Sequence, residues 1–181
     1  MPSSIVNASP TPPPPSSLTT LIQHSSKTDD DPLTTQILHN LQHQHLWTSL
    51  HIHQLDNTLL LISGIPPSRI YTHPDEQLYL LEKGLTDLVV AERFFVLPTA
   101  QGQSWSLRRI ARVFDALPDN NDEEGKDPRL AEYYARRDEA RITQEWGGKR
   151  LLLAMVDKAM GGDGTVVYYI VQEGAVKPRQ N

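Results

Sequence analysis

Two apolar runs close to the C-terminus constrain the fold most. Arg150 to Val156 and Thr165 to Val171 both read as strands, and the loop between them holds Gly161, Gly162, Asp163 and Gly164. The second run is β-branched and aromatic, with Val166, Val167, Tyr168, Tyr169 and Ile170 in succession. Continuous apolar sequence in a terminal strand implies burial on both faces, or an edge covered by a partner. A glycine-rich loop can also cradle phosphate, but that device leads into a helix whose N-terminus holds the anion. Here the loop leads into a β-branched strand, so it reads as a hairpin connection.

The upstream chain supplies elements for such a sheet. Leu33, Ile37, Leu38 and Leu41 fall at helical spacing, which predicts a short amphipathic helix over 33–45. Leu50 and Ile52 alternate with His51 and His53, as in a half-buried strand. After a turn at Asn57, Leu59 to Ile62 form a more central strand that Gly64 and Pro66–Pro67 end, and Ile70–Tyr71 read as a short strand. Pro74 opens a helix capped by Thr72 or His73, with Asp75 and Glu76 in its first turn and Leu78 and Leu81 as its apolar face. Leu88 to Leu97 reads as a strand stopped by Pro98. Ser106 caps a further helix that places Leu107, Ile110, Val113, Phe114 and Leu117 on one face. Residues 129–141 alternate in charge, with Glu132 four before Arg136, and read as an exposed helix. Strands and helices mixed in this way predict an α/β (α+β) domain, a β-sheet flanked by helices.

Composition separates this domain from its surroundings. Hydrophobic residues make up 38% of the 181, and the deficit is local: seven of the 14 prolines lie in the first 32 residues. Residues 1–31 therefore read as a disordered, solvated Pro/Ser/Thr-rich tail, with a Pro-rich docking peptide as the alternative. The domain spans 32–181, with a flexible acidic insertion near 118–128 that holds Asp119, Asp122, Glu123, Glu124 and Asp127. The absence of cysteine excludes a disulfide scaffold, thiolate zinc sites and a cysteine nucleophile. No apolar run approaches 18 residues, so no membrane span is expected, and no signal peptide is legible. A net charge of −5 argues against RNA binding by bulk electrostatics alone.

Candidate chemistry is sparse. His51 and His53 share a strand face, and His39 and His43 are i,i+4 on a helix, each pair with ligand-like spacing. A catalytic zinc needs a third protein ligand, none is evident, and outward polar alternation explains the strand pair without metal. A Ser–His–Asp hydrolase lacks its nucleophile elbow, and all seven histidines lie at or before residue 73. Arg108, Arg109, Arg112, Arg136, Arg137 and Arg141 could touch phosphate, but most are interleaved with acids and read as a solvated helical face.

The run Lys149–Arg150–Leu151–Leu152–Leu153–Ala154–Met155–Val156–Asp157, followed by Thr165 to Val171, resembles the paired C-terminal strands of the tRNA-splicing endonuclease fold. The ending Glu173–Gly174–Ala175–Val176–Lys177–Pro178–Arg179–Gln180–Asn181 is similar to that of the fungal small structural subunit, the Sen-fifteen subunit. Ile62–Ser63–Gly64–Ile65–Pro66–Pro67 and Ile70–Tyr71–Thr72–His73–Pro74–Asp75–Glu76–Gln77 resemble that subunit's signature. So do Phe95–Val96–Leu97–Pro98 and Trp105–Ser106–Leu107–Arg108–Arg109. Together these segments cover most of residues 33–181.

The resemblance implies a tRNA-intron endonuclease catalytic-domain-like fold, with a restriction-endonuclease-like mixed sheet. It implies a four-subunit enzyme that excises introns from precursor tRNA, with two catalytic and two structural subunits. This chain would be structural and would need no cofactor or metal. It would pair with a catalytic Sen-thirty-four-type subunit through the C-terminal strand, and would meet precursor tRNA only indirectly. Family catalysis uses a Tyr as general base, a His as general acid and a Lys that stabilises transition-state charge, with the 2′-hydroxyl attacking the adjacent phosphate. Lys149 lies near the matching Lys position and Tyr133 and Tyr134 lie upstream, but no His follows His73, so no catalytic residue is assigned. The alternative is a degenerate or weakly active RNA endonuclease. The expected interface comprises Asp163, Val166, Val167, Tyr168, Tyr169 and Ile170. Asp163 is the leading acidic residue of the Gly161–Gly164 loop that docks on the other two subunits, with Asp157 a weaker candidate. The isolated chain could also pair its sticky edge with itself as a homodimer. The family implies a nuclear location, or in some fungi the mitochondrial outer surface.

Overall fold

The computed structural model describes residues 16–17, 31–56, 59–86, 92–118, 130–157 and 164–173. Most of the N-terminal tail, most of the acidic insertion, Asn57, Leu88 to Ala91, Asp163 and the C-terminal ending after Glu173 lie outside the described residues.

The helices that start at Pro32, Pro74 and Leu107 begin where local chemistry dictates. Helix α1 (Pro32–His43) is capped by Asp31, whose Oδ2 accepts from the Thr34 backbone N–H at 3.0 Å, with Pro32 in the first turn where its missing N–H is harmless. Strands β1 (Thr48–Asp56) and β2 (Leu59–Ile65) follow. Helix α2 (Pro74–Glu82) has His73 as its cap: the His73 ring accepts from the Asp75 N–H, and the Glu76 carboxylate returns to the His73 N–H. Strand β3 (Phe94–Ala100) leads to helix α3 (Leu107–Ala116), where the Ser106 hydroxyl accepts from the Arg109 N–H at 3.2 Å. Helix α4 (Ala131–Ile142), strand β4 (Arg150–Asp157) and strand β5 (Thr165–Gln172) complete the order.

The strands form one mixed sheet in the order β1-β2-β3-β4-β5. All neighbours are antiparallel except β3 and β4, which run parallel with α3 and α4 in the crossover between them. Helices cover both faces, which explains the continuous apolar runs. On one face Ile37 and Leu41 of α1 pack on Ile62, Phe94, Val96, Leu152 and Ala154. On the other, Val113 and Phe114 of α3 and Leu117 just beyond it pack on Leu61, Phe95, Leu97 and Leu151. Successive residues of β3 and β4 thus point into opposite halves of the core.

Several expectations need correction. Gly64 does not end its strand: it pairs with Phe94 inside β2. A Cβ there would stand 2.6 Å from Leu50 Cδ2, 3.0 Å from Trp47 Cε3 and 3.3 Å from the Thr48 carbonyl. Gly64→Ala is therefore expected to destabilise the chain by about 1–3 kcal/mol by overpacking. An unchanged thermal midpoint would show that Leu50 yields freely. Pro98 does not stop β3, which continues to Ala100: the β2–β3 register ends at Val96, but Pro98 still pairs with Ala154 of β4. Ile70–Tyr71 is not a strand: Ile70 packs against the α1 core, and the Tyr71 ring lies 5.5 Å from the Arg150 guanidinium.

Helix faces also differ from the pattern. On α2, Leu78 and Leu81 are 56% and 64% exposed, while Glu76 and Leu80 are buried. On α3, Leu107 is 87% exposed. The helix over 129–141 is not a wholly exposed one, because Tyr133, Arg137 and Ala140 are buried. Arg136 pairs with Glu139 at 3.0 Å and Glu145 at 2.7 Å, and Glu132 reaches across to Lys83 at 2.6 Å.

Candidate functional site

The sheet order puts β5 at an edge. Among the described residues it pairs only with β4, from Arg150↔Gln172 to Asp157↔Thr165. Val166 and Tyr168 turn toward the α1 core and are half-buried, as is Val167, whereas Tyr169 and Ile170 are 50% and 38% exposed. Tyr168 is tied inward: its hydroxyl donates to Asn40 Oδ1 at 2.6 Å, and burial raises its pKa above the ordinary phenol value. The five apolar residues read together from the sequence therefore divide. Tyr169 and Ile170 present apolar surface to solvent, and the other three contribute to the fold. Asp163 lies outside the described residues; the connection containing it starts after Asp157 and returns through Gly164 at φ +86°.

Lys149, Tyr133, Tyr134 and the described histidines make contacts within the chain. Lys149 Nζ donates to the backbone carbonyls of Leu117 at 2.8 Å and Phe114 at 3.3 Å. These carbonyls belong to the C-terminal end of α3, where partner-less acceptors and the helix dipole favour a cation. Tyr133 is fully buried, and its hydroxyl donates to Glu76 Oε1 while accepting from Arg69 Nη2. Burial first, and the Glu76 carboxylate beside it, raise the Tyr133 pKa despite Arg137 and Arg69. A phenol enclosed in this way is not presented to solvent. Tyr134 is half-buried with its ring 5.2 Å from that of Tyr133. His73 caps α2, and His53 Nε2 shares a 2.7 Å hydrogen bond with the Ser63 hydroxyl. His51 Nδ1 bonds the Ser49 carbonyl at 2.9 Å, and His39 and His43 stack with centroids 4.5 Å apart. Among the described residues no three His, Asp or Glu side chains converge as a metal site.

Tyr133 belongs to a buried ionic cluster that periodicity did not reveal. Glu92, just before β3, receives Arg137 of α4 and, at 2.9 Å, Arg150 of β4. Arg69 Nη2 reaches Glu76 at 2.9 Å and Glu92 at 3.5 Å. Burial pushes the Glu92 pKa up, but Arg137, Arg150 and Arg69 together outweigh it and hold the carboxyl below its ordinary range. The cluster joins α2, α4 and two strand starts. Arg137, expected on a solvated face, sits at its centre. The one sequence signal was Glu76 in a capping-box position, which marks a helix start and not a buried charge.

Comparison with known proteins places these features in a lineage. A family model described as "Sen15 protein" matches residues 36–181. A protein of Neurospora crassa named "Probable tRNA-splicing endonuclease subunit tsp-1" is 40% identical over 158 residues, covering 82% of this chain and 66% of that protein. The chain belongs to the Sen15 protein family.

Proposed function

We propose that this chain is a non-catalytic structural subunit of a heterotetrameric tRNA-splicing endonuclease and supports intron excision from precursor tRNA by pairing with a catalytic subunit. The observation that carries this reading is the placement of Tyr133 and Lys149, one enclosed against Glu76 and the other bound to the end of α3. The name of the Neurospora relative supplies the endonuclease context. The β5 edge, with Tyr169 and Ile170 exposed, supports a strand-to-strand contact with the catalytic Sen-thirty-four-type subunit. In the absence of that partner the same edge supports self-pairing. The Gly161–Gly164 loop would present Asp163 to the other two subunits. The subunit would travel with its partners to the nucleus, or in some fungi to the mitochondrial outer surface.

Co-expression with candidate catalytic subunits, followed by copurification and a precursor-tRNA cleavage assay, tests the proposal. The complex is expected to cleave and the chain alone to give no products. Products from the chain alone would sink the structural reading. Asp163→Lys is expected to weaken tetramer assembly on a sizing column while leaving the thermal midpoint of the isolated chain unchanged. An unaltered elution profile would remove the loop from the interface.

A further inference from the structure

Helix α3 carries positive charge where its own stability does not favour it. Its first turn holds Arg108 and Arg109 and no acidic residue. A helix N-terminus already bears partial positive charge, and α2 shows the favourable arrangement with Asp75 and Glu76. Arg112 follows one turn later, in reach of Arg108 at i,i+4 and of Arg109 at i,i+3, so the three form one basic face. Arg108 and Arg112 are exposed. Arg112 lies 3.6 Å from Asp56 in solvent, and Asp115 is the other acid along this stretch. The Arg109 guanidinium lies over the Trp105 ring, 4.4 Å from its centroid.

This arrangement does little for the fold. Arg108 and Arg112 are not buried, and Arg108, in the first turn, opposes the dipole of the helix that carries it. Residues that break a local rule without compensation in packing mark functional surface. Guanidinium groups one helical turn apart match phosphate oxygens along a backbone, and the Arg109–Trp105 cation–π pair is the kind of surface on which a nucleobase stacks. Asp56 ends β1, the edge opposite β5, so this face stays open when β5 is paired.

We propose that Arg108, Arg109 and Arg112 form a direct contact for the phosphate backbone of RNA, the precursor tRNA in the splicing assembly. The assignment of that RNA rests on the function proposed above. The chain's net negative charge is no obstacle, since the contact is local and works within an assembly.

The test uses the copurified complex and the double variant Arg108→Gln, Arg112→Gln. The Kd for precursor tRNA is expected to rise about tenfold at low salt, and the slope of log Kd against log salt to fall by about 2. Asp115→Asn should tighten binding. The isolated double variant should melt no lower than the parent, because the substitutions remove an adverse charge arrangement. Parental affinity and salt slope in the double variant would overturn the proposal. Loss of a subunit from the complex would also overturn it, by showing that the face binds protein. If the parent chain joins no catalytic subunit, the splicing reading falls, and the same salt titration of the chain alone against a structured RNA still decides the Arg face.

Discussion

Glu92→Gln is expected to cost about 3–5 kcal/mol of folding stability, the range for breaking a buried ion pair from one side. Glu92 accepts from Arg137 and Arg150 and lies 3.5 Å from Arg69, all in or near the interior. Removing its charge leaves Glu76 as the remaining carboxylate against those guanidinium groups, and an uncompensated buried cation is costly. Urea denaturation of the parent and variant measures the loss; a difference below about 1 kcal/mol would show that the cluster opens to water at little cost. The same carboxyl sets a pH dependence. Its folded pKa lies below its unfolded one, so its contribution is present above the ordinary carboxylate range and is lost as pH falls through the folded value. Acidification below about pH 4 should lower the parent's midpoint more than that of Glu92→Gln.

The second large effect concerns assembly. If β5 pairs with a catalytic subunit as proposed, the double variant Tyr169→Lys, Ile170→Lys is expected to abolish that copurification while leaving the isolated chain folded. Both side chains are substantially exposed, so the fold loses little. At a pairing edge, lysines repel the approaching strand, and a buried Tyr at an interface centre commonly contributes 2 kcal/mol or more, about a 30-fold change in affinity. Tyr168→Phe is the informative contrast: it loses the bond to Asn40 and should lower stability by about 1 kcal/mol without affecting pairing. Retained copurification of the lysine variant would place the partner elsewhere. A reduced thermal midpoint in that variant alone would show that Tyr169 and Ile170 serve the fold instead.

Much of the sheet was legible because its signals are local. The β4 and β5 runs, the cap at Ser106 and the helix opening at Pro74 each depend on residues a few positions apart. The helix faces of α2 were not legible. Leu78 and Leu81 satisfy an amphipathic pattern, yet α2 buries Glu76 and Leu80 because α4 and the arginines lie on that side. Sheet order makes β5 an edge, and the five apolar residues expected to act together differ in exposure. Tyr168 belongs to α1 as much as to β5.

By itself the sequence determined a sheet flanked by helices, the two C-terminal strands, most helix starts and the family pattern. Periodicity, capping and turn chemistry act over a few residues and need no knowledge of the rest of the chain. Only the tertiary structure decided which charges are interior and which apolar groups remain outside. Arg137 meets Glu92 from 45 residues away, Arg150 from 58, and Arg69 meets Tyr133 from 64. A charge is tolerated in the interior only where such distant partners converge on it, and that convergence is a property of the folded chain.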